Sequence, residues 1–137
     1  MHVSRICSDL VKIRSENPPG TTADVIEYIR GFLDGIGIPS AVHSAGQGMD
    51  NLVAAHKDAT LMLCGHVDVV PALGDNWARP PFSGDIADGC VWGRGTTDMK
   101  GGCAAILSAC ETLANAGEDV PATLAFVCDE ETGGENG

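Results

Sequence analysis

The sequence predicts an α/β domain with a mixed, largely parallel sheet flanked by helices. Three observations predict it. Apolar residues recur at helical spacing over Val3–Val11 and again over Val25–Leu33. Two apolar runs of strand length, Thr60–Gly65 and Ala122–Cys128, each end in a polar cluster. Between those runs lies an Ala-, Ile- and Leu-rich segment, Met99–Ala116, of helical character. Helices alternating with strands build a parallel core. A chain of 137 residues is enough for one domain with a real core.

Each element has its own local reason. Val3, Ile6, Cys7, Leu10 and Val11 follow the i, i+3, i+4, i+7 spacing of a helix with one buried stripe. The stretch SENPPGTT then breaks the chain. Thr21, with Asp24 three residues on, resembles an N-cap box for a second helix. Val25, Ile26, Ile29, Phe32 and Leu33 form its apolar stripe, and Gly35–Gly37 its stop. Ser40–His43 and Asn51–His56 read as short strands. Thr60–Gly65 is the strongest strand, and Leu61–Cys64 within it reads as buried. PALGDNWARPPFSG has turn chemistry throughout and predicts a surface loop. Asp85–Trp92, with Asp88-Gly89 at its centre, predicts a hairpin.

Composition excludes several classes. Nineteen acidic against eight basic residues give a net charge of −11. Phosphate binding needs a basic face, so the excess argues against a nucleic-acid partner. A solvated acidic surface is the ordinary reading of such an excess. Some of the acids remain available as cation ligands. Six cysteines, at 7, 64, 90, 103, 110 and 128, make no C-x-x-C pair and mostly lie in apolar stretches. They read as buried free thiols rather than a disulfide frame or a thiolate zinc site. The N-terminus has no basic start followed by a long apolar block, and no stretch approaches the ~18 apolar residues of a membrane span. A soluble, cytoplasmic protein without membrane contact is expected.

The chemistry gathers at the ends of the two best strands. One delivers His66 and Asp68, the other Asp129, Glu130 and Glu131. Residues i and i+2 of an extended chain share a face, so His66 and Asp68 are expected side by side. In open α/β sheets, sites form beyond the carboxyl ends of strands. Between these strands, GRGTTDMKGG places Asp98 just before a helix, where a carboxylate is ordinarily a cap. The segment lacks the G-x-x-x-x-G-K-[ST] spacing of a phosphate loop, and G-x-G-x-x-G lacks its third glycine. Imidazole and carboxylates together suit zinc, manganese or cobalt. A lone histidine at a strand end is usually structural. One with a same-face aspartate can be a ligand held by its orienting partner. Of two adjacent glutamates, one can bind metal while the other handles a proton, and such like charges are costly without a cation.

In this order, GHVDVVP, GRGTTDMKGG and DEETGG resemble the M20 metallopeptidases, the group of acetylornithine deacetylase, succinyl-diaminopimelate desuccinylase, aminoacylase and carboxypeptidase. The intervening W…PPFSGDIADGCVWGRG is similar too, so the resemblance runs over essentially the whole chain. It implies a zinc-exopeptidase-like catalytic domain with two divalent metal ions, zinc first and cobalt or manganese next. It implies an amidohydrolase for N-acylated amino acids or small peptides. Asp98 matches the carboxylate bridging both metals, and His66 and Glu131 match ligands of one metal each. Asp68 matches the carboxylate that holds the histidine, and Glu130 the general base. A cis peptide at Asp98–Met99 is implied as well. His2, His43 and His56 match no motif.

Members of this group are longer. They carry a further acidic ligand, a histidine ligand near the C-terminus and a lid domain that mediates homodimerisation. Residues 1–137 are therefore expected to be the N-terminal part of a catalytic domain. The lid and the C-terminal catalytic part would lie outside them. On that reading the chain alone would be inactive, would bind zinc loosely or not at all, and would self-associate. The alternative is a non-catalytic form that keeps the fold and acts only by binding.

Overall fold

The computed structural model describes residues 2–137 as three helices, a four-stranded sheet and a two-stranded hairpin. Helix α1 (Val3–Lys12) buries Ile6, Cys7, Leu10 and Val11, the predicted stripe, while Val3 is exposed. Helix α2 (Ala23–Gly35) buries Val25, Ile26, Ile29 and Leu33. It starts one residue later than the predicted cap box. Thr22 is the N-cap and makes no side-chain cap. Its hydroxyl instead donates to the Asp50 carbonyl (2.9 Å) and accepts from the Asp50 amide (2.8 Å), tying the helix start to the sheet.

Strands β1 (Ala41–Ser44) and β2 (Asp50–Ala54) form an antiparallel pair, and β2 pairs antiparallel with β6 (Thr123–Val127). Strand β3 (Met62–His66) pairs with β6 in parallel. The order is β1-β2-β6-β3. The sheet is thus mixed, as expected, but only one of its three pairings is parallel. The short β1–β2 connection explains one of the two antiparallel pairings, since a tight turn can join only antiparallel neighbours.

One core joins α1, α2 and α3 (Gly101–Asn115) to the sheet face bearing Leu52, Ala54, Leu124 and Phe126. Hairpin strands β4 (Asp85–Ala87) and β5 (Cys90–Trp92) lie against α1. Their turn residues Asp88 and Gly89 both have positive φ, the I′ geometry expected of Asp-Gly.

Two expectations need correction. Leu61–Cys64 is not a buried strand. Strand β3 is an edge, paired only with β6, and Leu61 and Met62 are 54% and 59% exposed. An apolar run alone does not distinguish a central strand from an edge. The thiols also divide: all six are free, but Cys64 and Cys90 are exposed. An uncharged apolar edge is a template for pairing with another chain. Sedimentation should therefore show self-association, and Met62→Lys should shift the chain toward monomer. A wild-type monomer at the highest soluble concentration would contradict this. No helix among the described residues is long and apolar enough to cross a membrane.

Candidate metal centre

Because β3 and β6 are parallel neighbours with His66 opposite Val127, their carboxyl ends lie side by side. The ladder continues past β3, with Val67 N–H donating to the Val127 carbonyl (2.9 Å). The polar clusters at 66–68 and 129–131 are thereby brought together. After β6 the chain turns at Asp129, in the left-handed region at φ 74°, into a 3-10 turn, Glu130–Thr132. Asp98 enters from a kinked turn, Thr96–Lys100, in which Asp98 and Met99 leave helical geometry. Helix α3 accordingly begins at Gly101 rather than Met99. The Asp98–Met99 peptide is cis, as are Asn17–Pro18 and Pro18–Pro19.

Asp98 does not cap α3. Its Oδ1 lies 2.9 Å from Nε2 of His66. Nδ1 of His66 donates to the main-chain oxygen of Asp68 (3.0 Å), with the Asp68 carboxylate at 3.3 Å. Side-by-side placement of the pair is therefore present, but the main chain shares the holding role expected of the carboxylate. Glu130 Oε2 is 3.7 Å from His66 Nε2. His66, Glu130 and Glu131 offer ligand atoms all within 4.8 Å of one another. Asp98 and Glu131 line one cavity of about 250 Å³.

The electrostatics follow. Both ring nitrogens of His66 face acceptors, an arrangement that favours the protonated ring. Burial opposes that charge, but Asp98, Asp68 and Glu130 outweigh it and raise the His66 pKa. Burial, followed by the charge of Asp98, raises the carboxyl of Glu131. Crowded carboxylates around one imidazole are the arrangement a cation would relieve.

Asp68 is fully buried and does more than face His66. Its carboxylate accepts from the main-chain N–H groups of Glu130 (3.2 Å) and Glu131 (3.0 Å), which sets the glutamate turn on the end of β3. Asn17, in the stretch that reads only as a chain break, is a second anchor that the sequence does not announce. Its amide donates to Asp68 (3.1 Å), Asp129 (3.2 Å) and Thr132 (2.9 Å). Ser15 and Asn17 run alongside the extension of β3 through Ser15 Oγ–Val67 O (2.7 Å) and Asn17 N–Val69 O (2.8 Å). Lys100 is wholly buried, and its ammonium donates to the carbonyls of Leu10 (3.0 Å) and Ile13 (2.6 Å) at the end of α1. Burial pushes its pKa down to about 8.

Hydrogen bonds from Thr132, Asn136 and Asn17 hold Asp129 down at about 2. A carboxyl depressed by folding contributes stability above its unfolded pKa, and that contribution is lost as pH falls through the folded one. Asp129→Asn is therefore expected to be less stable than wild type at neutral pH, with the gap closing between about pH 4 and pH 2. Unfolding midpoints in urea across that range check this. A gap that persists at pH 2 would mean that the depressed carboxyl is not its source.

The sequence profile of peptidase family M20/M25/M40 matches residues 62–137. A succinyl-diaminopimelate desuccinylase of Cereibacter sphaeroides is 44% identical over 111 residues, which span 76% of this chain and 28% of that protein. A probable carboxypeptidase S-like 2 of Dictyostelium discoideum is 50% identical over 80 residues, 56% of this chain and 15% of that protein. Human carnosine dipeptidase 1 superposes with a TM-score of 0.80 at 25% identity, over 98% of this chain and 33% of that one. The metallo-carboxypeptidase Sso-CP2 of Sulfolobus solfataricus shares the fold, with a TM-score of 0.81 at 23% identity over 99% of this chain and 32% of that one. The chain thus spans less than a third of the length of either sequence relative. With the profile covering more than half of its residues, the chain belongs to peptidase family M20/M25/M40.

Proposed function

We propose that these residues form part of the active site of a metal-dependent hydrolase that cleaves the amide bond of N-acyl amino acids or small peptides. The observation that carries this is the convergence of His66, Glu130 and Glu131, with Asp98 bonded to the same imidazole. Family membership supports it.

The donor set, one imidazole and several carboxylates, suits zinc, with cobalt and manganese as alternatives. In this reading Asp98, His66 and Glu131 would hold the metal, with room for two ions in the family's manner. Further ligands come from outside these residues. Bound metal supplies a lowered water pKa and a polarised acyl carbonyl.

The protein's own groups do the rest. His66 is turned by the main-chain oxygen of Asp68, which fixes Nδ1 as a donor and aims Nε2 at the site. Glu130 has a side chain 58% exposed, which leaves it free to move a proton. It takes one from the attacking water and delivers it to the leaving amine nitrogen. Glu131, more enclosed and beside Asp98, is the better ligand. A cytoplasmic, homodimeric enzyme is part of the same proposal. In a protein carrying the whole site, chelation should abolish release of free amine from N-acetyl amino acids and dipeptides. Added zinc, cobalt or manganese should restore it. Hydrolysis that survives complete chelation would refute the reading.

A further inference from the structure

Asn17, in the linker between α1 and α2, lies between two buried carboxylates, Asp68 and Asp129, and is itself buried. Its amide nitrogen meets three oxygens, Asp68 Oδ2 (3.1 Å), Asp129 Oδ1 (3.2 Å) and Thr132 Oγ1 (2.9 Å). The Thr132 hydroxyl donates its own hydrogen to Asp129, so its oxygen is free to accept. One hydrogen of Asn17 therefore serves Asp68, and the other serves the Asp129–Thr132 pair.

Asp129 and Thr132 flank Glu130 and Glu131 in the turn after β6. The two glutamate N–H groups between them rest on Asp68, and Glu131 shares Oδ2 of that carboxylate with Asn17. The main-chain oxygen of Asp68 in turn accepts from Nδ1 of His66. A single amide thus bonds to both flanks of the glutamate turn and to the residue that holds its middle and turns the imidazole. Two buried like charges repel, and donors placed between them offset this without adding a third charge. A carboxyl in the same place would have the same shape and no N–H to give.

We propose that Asn17 is a positioning residue of the metal centre, which sets Glu130 and Glu131 against His66 by bridging Asp68 to the glutamate turn. This role rests on the metal-dependent hydrolase reading and acts only through Asp68 and the turn.

The test compares wild type with Asn17→Asp, which keeps the shape and removes the donors, and with Asn17→Ala, which removes both. Ser8→Ala is the control, since Ser8 is also buried but bonds to the Gly84 carbonyl (2.6 Å) instead. Amide exchange followed by ¹H–¹⁵N NMR reads Glu130 and Glu131 against the amides of α2, and the histidine ¹⁵N signals read zinc at His66. In both Asn17 variants the two glutamate amides should exchange about tenfold or more faster relative to α2. The zinc concentration that half-shifts His66 should rise by about tenfold or more, the usual effect of losing an orienting partner. Ser8→Ala should change neither. In wild type the side-chain hydrogens of Asn17 should exchange far more slowly than those of exposed Asn76. Equal rates there would overturn the proposal without any variant, and they decide if neither variant folds. If only Asn17→Asp fails to fold, Asn17→Ala decides. An Asn17→Asp chain that matches wild type would make shape rather than donation the cause, and overturns the proposal. An unchanged zinc response in the variants overturns the role of Asn17 and leaves the hydrolase reading standing. A wild-type His66 that ignores zinc overturns the metal reading itself, and this role with it.

Discussion

Glu130→Ala, in a chain carrying the complete site, should keep its metal and lose turnover by roughly 10²–10⁴-fold, the usual contribution of a general base. Glu131→Ala should lose metal as well. The two glutamates are adjacent, yet the 3-10 turn gives them different surroundings. Glu130 is exposed and reaches His66 only at 3.7 Å. Glu131 is half-buried, and burial together with Asp98 raises its pKa. A side chain that is costly to ionise without a cation is the one whose removal should cost the cation. Metal content by elemental analysis, read beside turnover, separates the roles. If both variants retained a full metal complement, the assignment would be wrong.

The second large effect is in the backbone under Asp98. Gly101→Ala should destabilise the fold and displace Asp98, whereas Gly31→Ala should stabilise it. Both glycines lie in helices and gain helix propensity on substitution, about 1 kcal/mol in an unhindered position. At Gly31 in α2 nothing lies within 4 Å of the added carbon. At Gly101 the added carbon would overlap the carbonyl oxygen of Thr96, which also accepts the Gly101 N–H. Overpacking of this kind costs about 1–3 kcal/mol and outweighs the propensity gain. The kinked turn around Asp98 would have to open to accommodate it. Urea midpoints of the two variants should move in opposite directions. Equal shifts would show that the close approach at Gly101 does not matter.

Much of this was legible in the sequence, for identifiable reasons. Helical periodicity found α1 and α2, and the Asp-Gly pair found the β4–β5 turn, because both signals are local. His66 and Asp68 stood out because a strand alternates its faces. That the polar residues gather at two strand ends is legible in the strand pattern, their individual roles come from the family resemblance, and the parallel β3–β6 pairing brings the two ends together. Other features were invisible because they depend on distant partners. Asn17 reaches acceptors 51, 112 and 115 residues away, and no local pattern marks it. The burial of Lys100 depends on carbonyls at the end of α1, some 90 residues earlier. Strand β3 reads as buried yet lies at an edge, because the neighbours of a strand are set by topology, not by its own apolar residues. The cap expected at Thr21 moved to Thr22, whose hydroxyl bonds to Asp50 instead of the helix.

In the proposed function His66 presents Nε2 to a metal while Nδ1 stays bonded to Asp68. The most direct measurement follows the side-chain nitrogens of the four histidines by ¹⁵N NMR during zinc titration of this chain. Nε2 of His66 should shift strongly and lose its proton, while Nδ1 remains protonated. The shift should grow as pH rises through the raised His66 pKa, because metal and proton compete for the same lone pair. Asp98→Asn should weaken it. Zinc that shifts His2, His43 or His56 while His66 keeps both its protons would contradict the account.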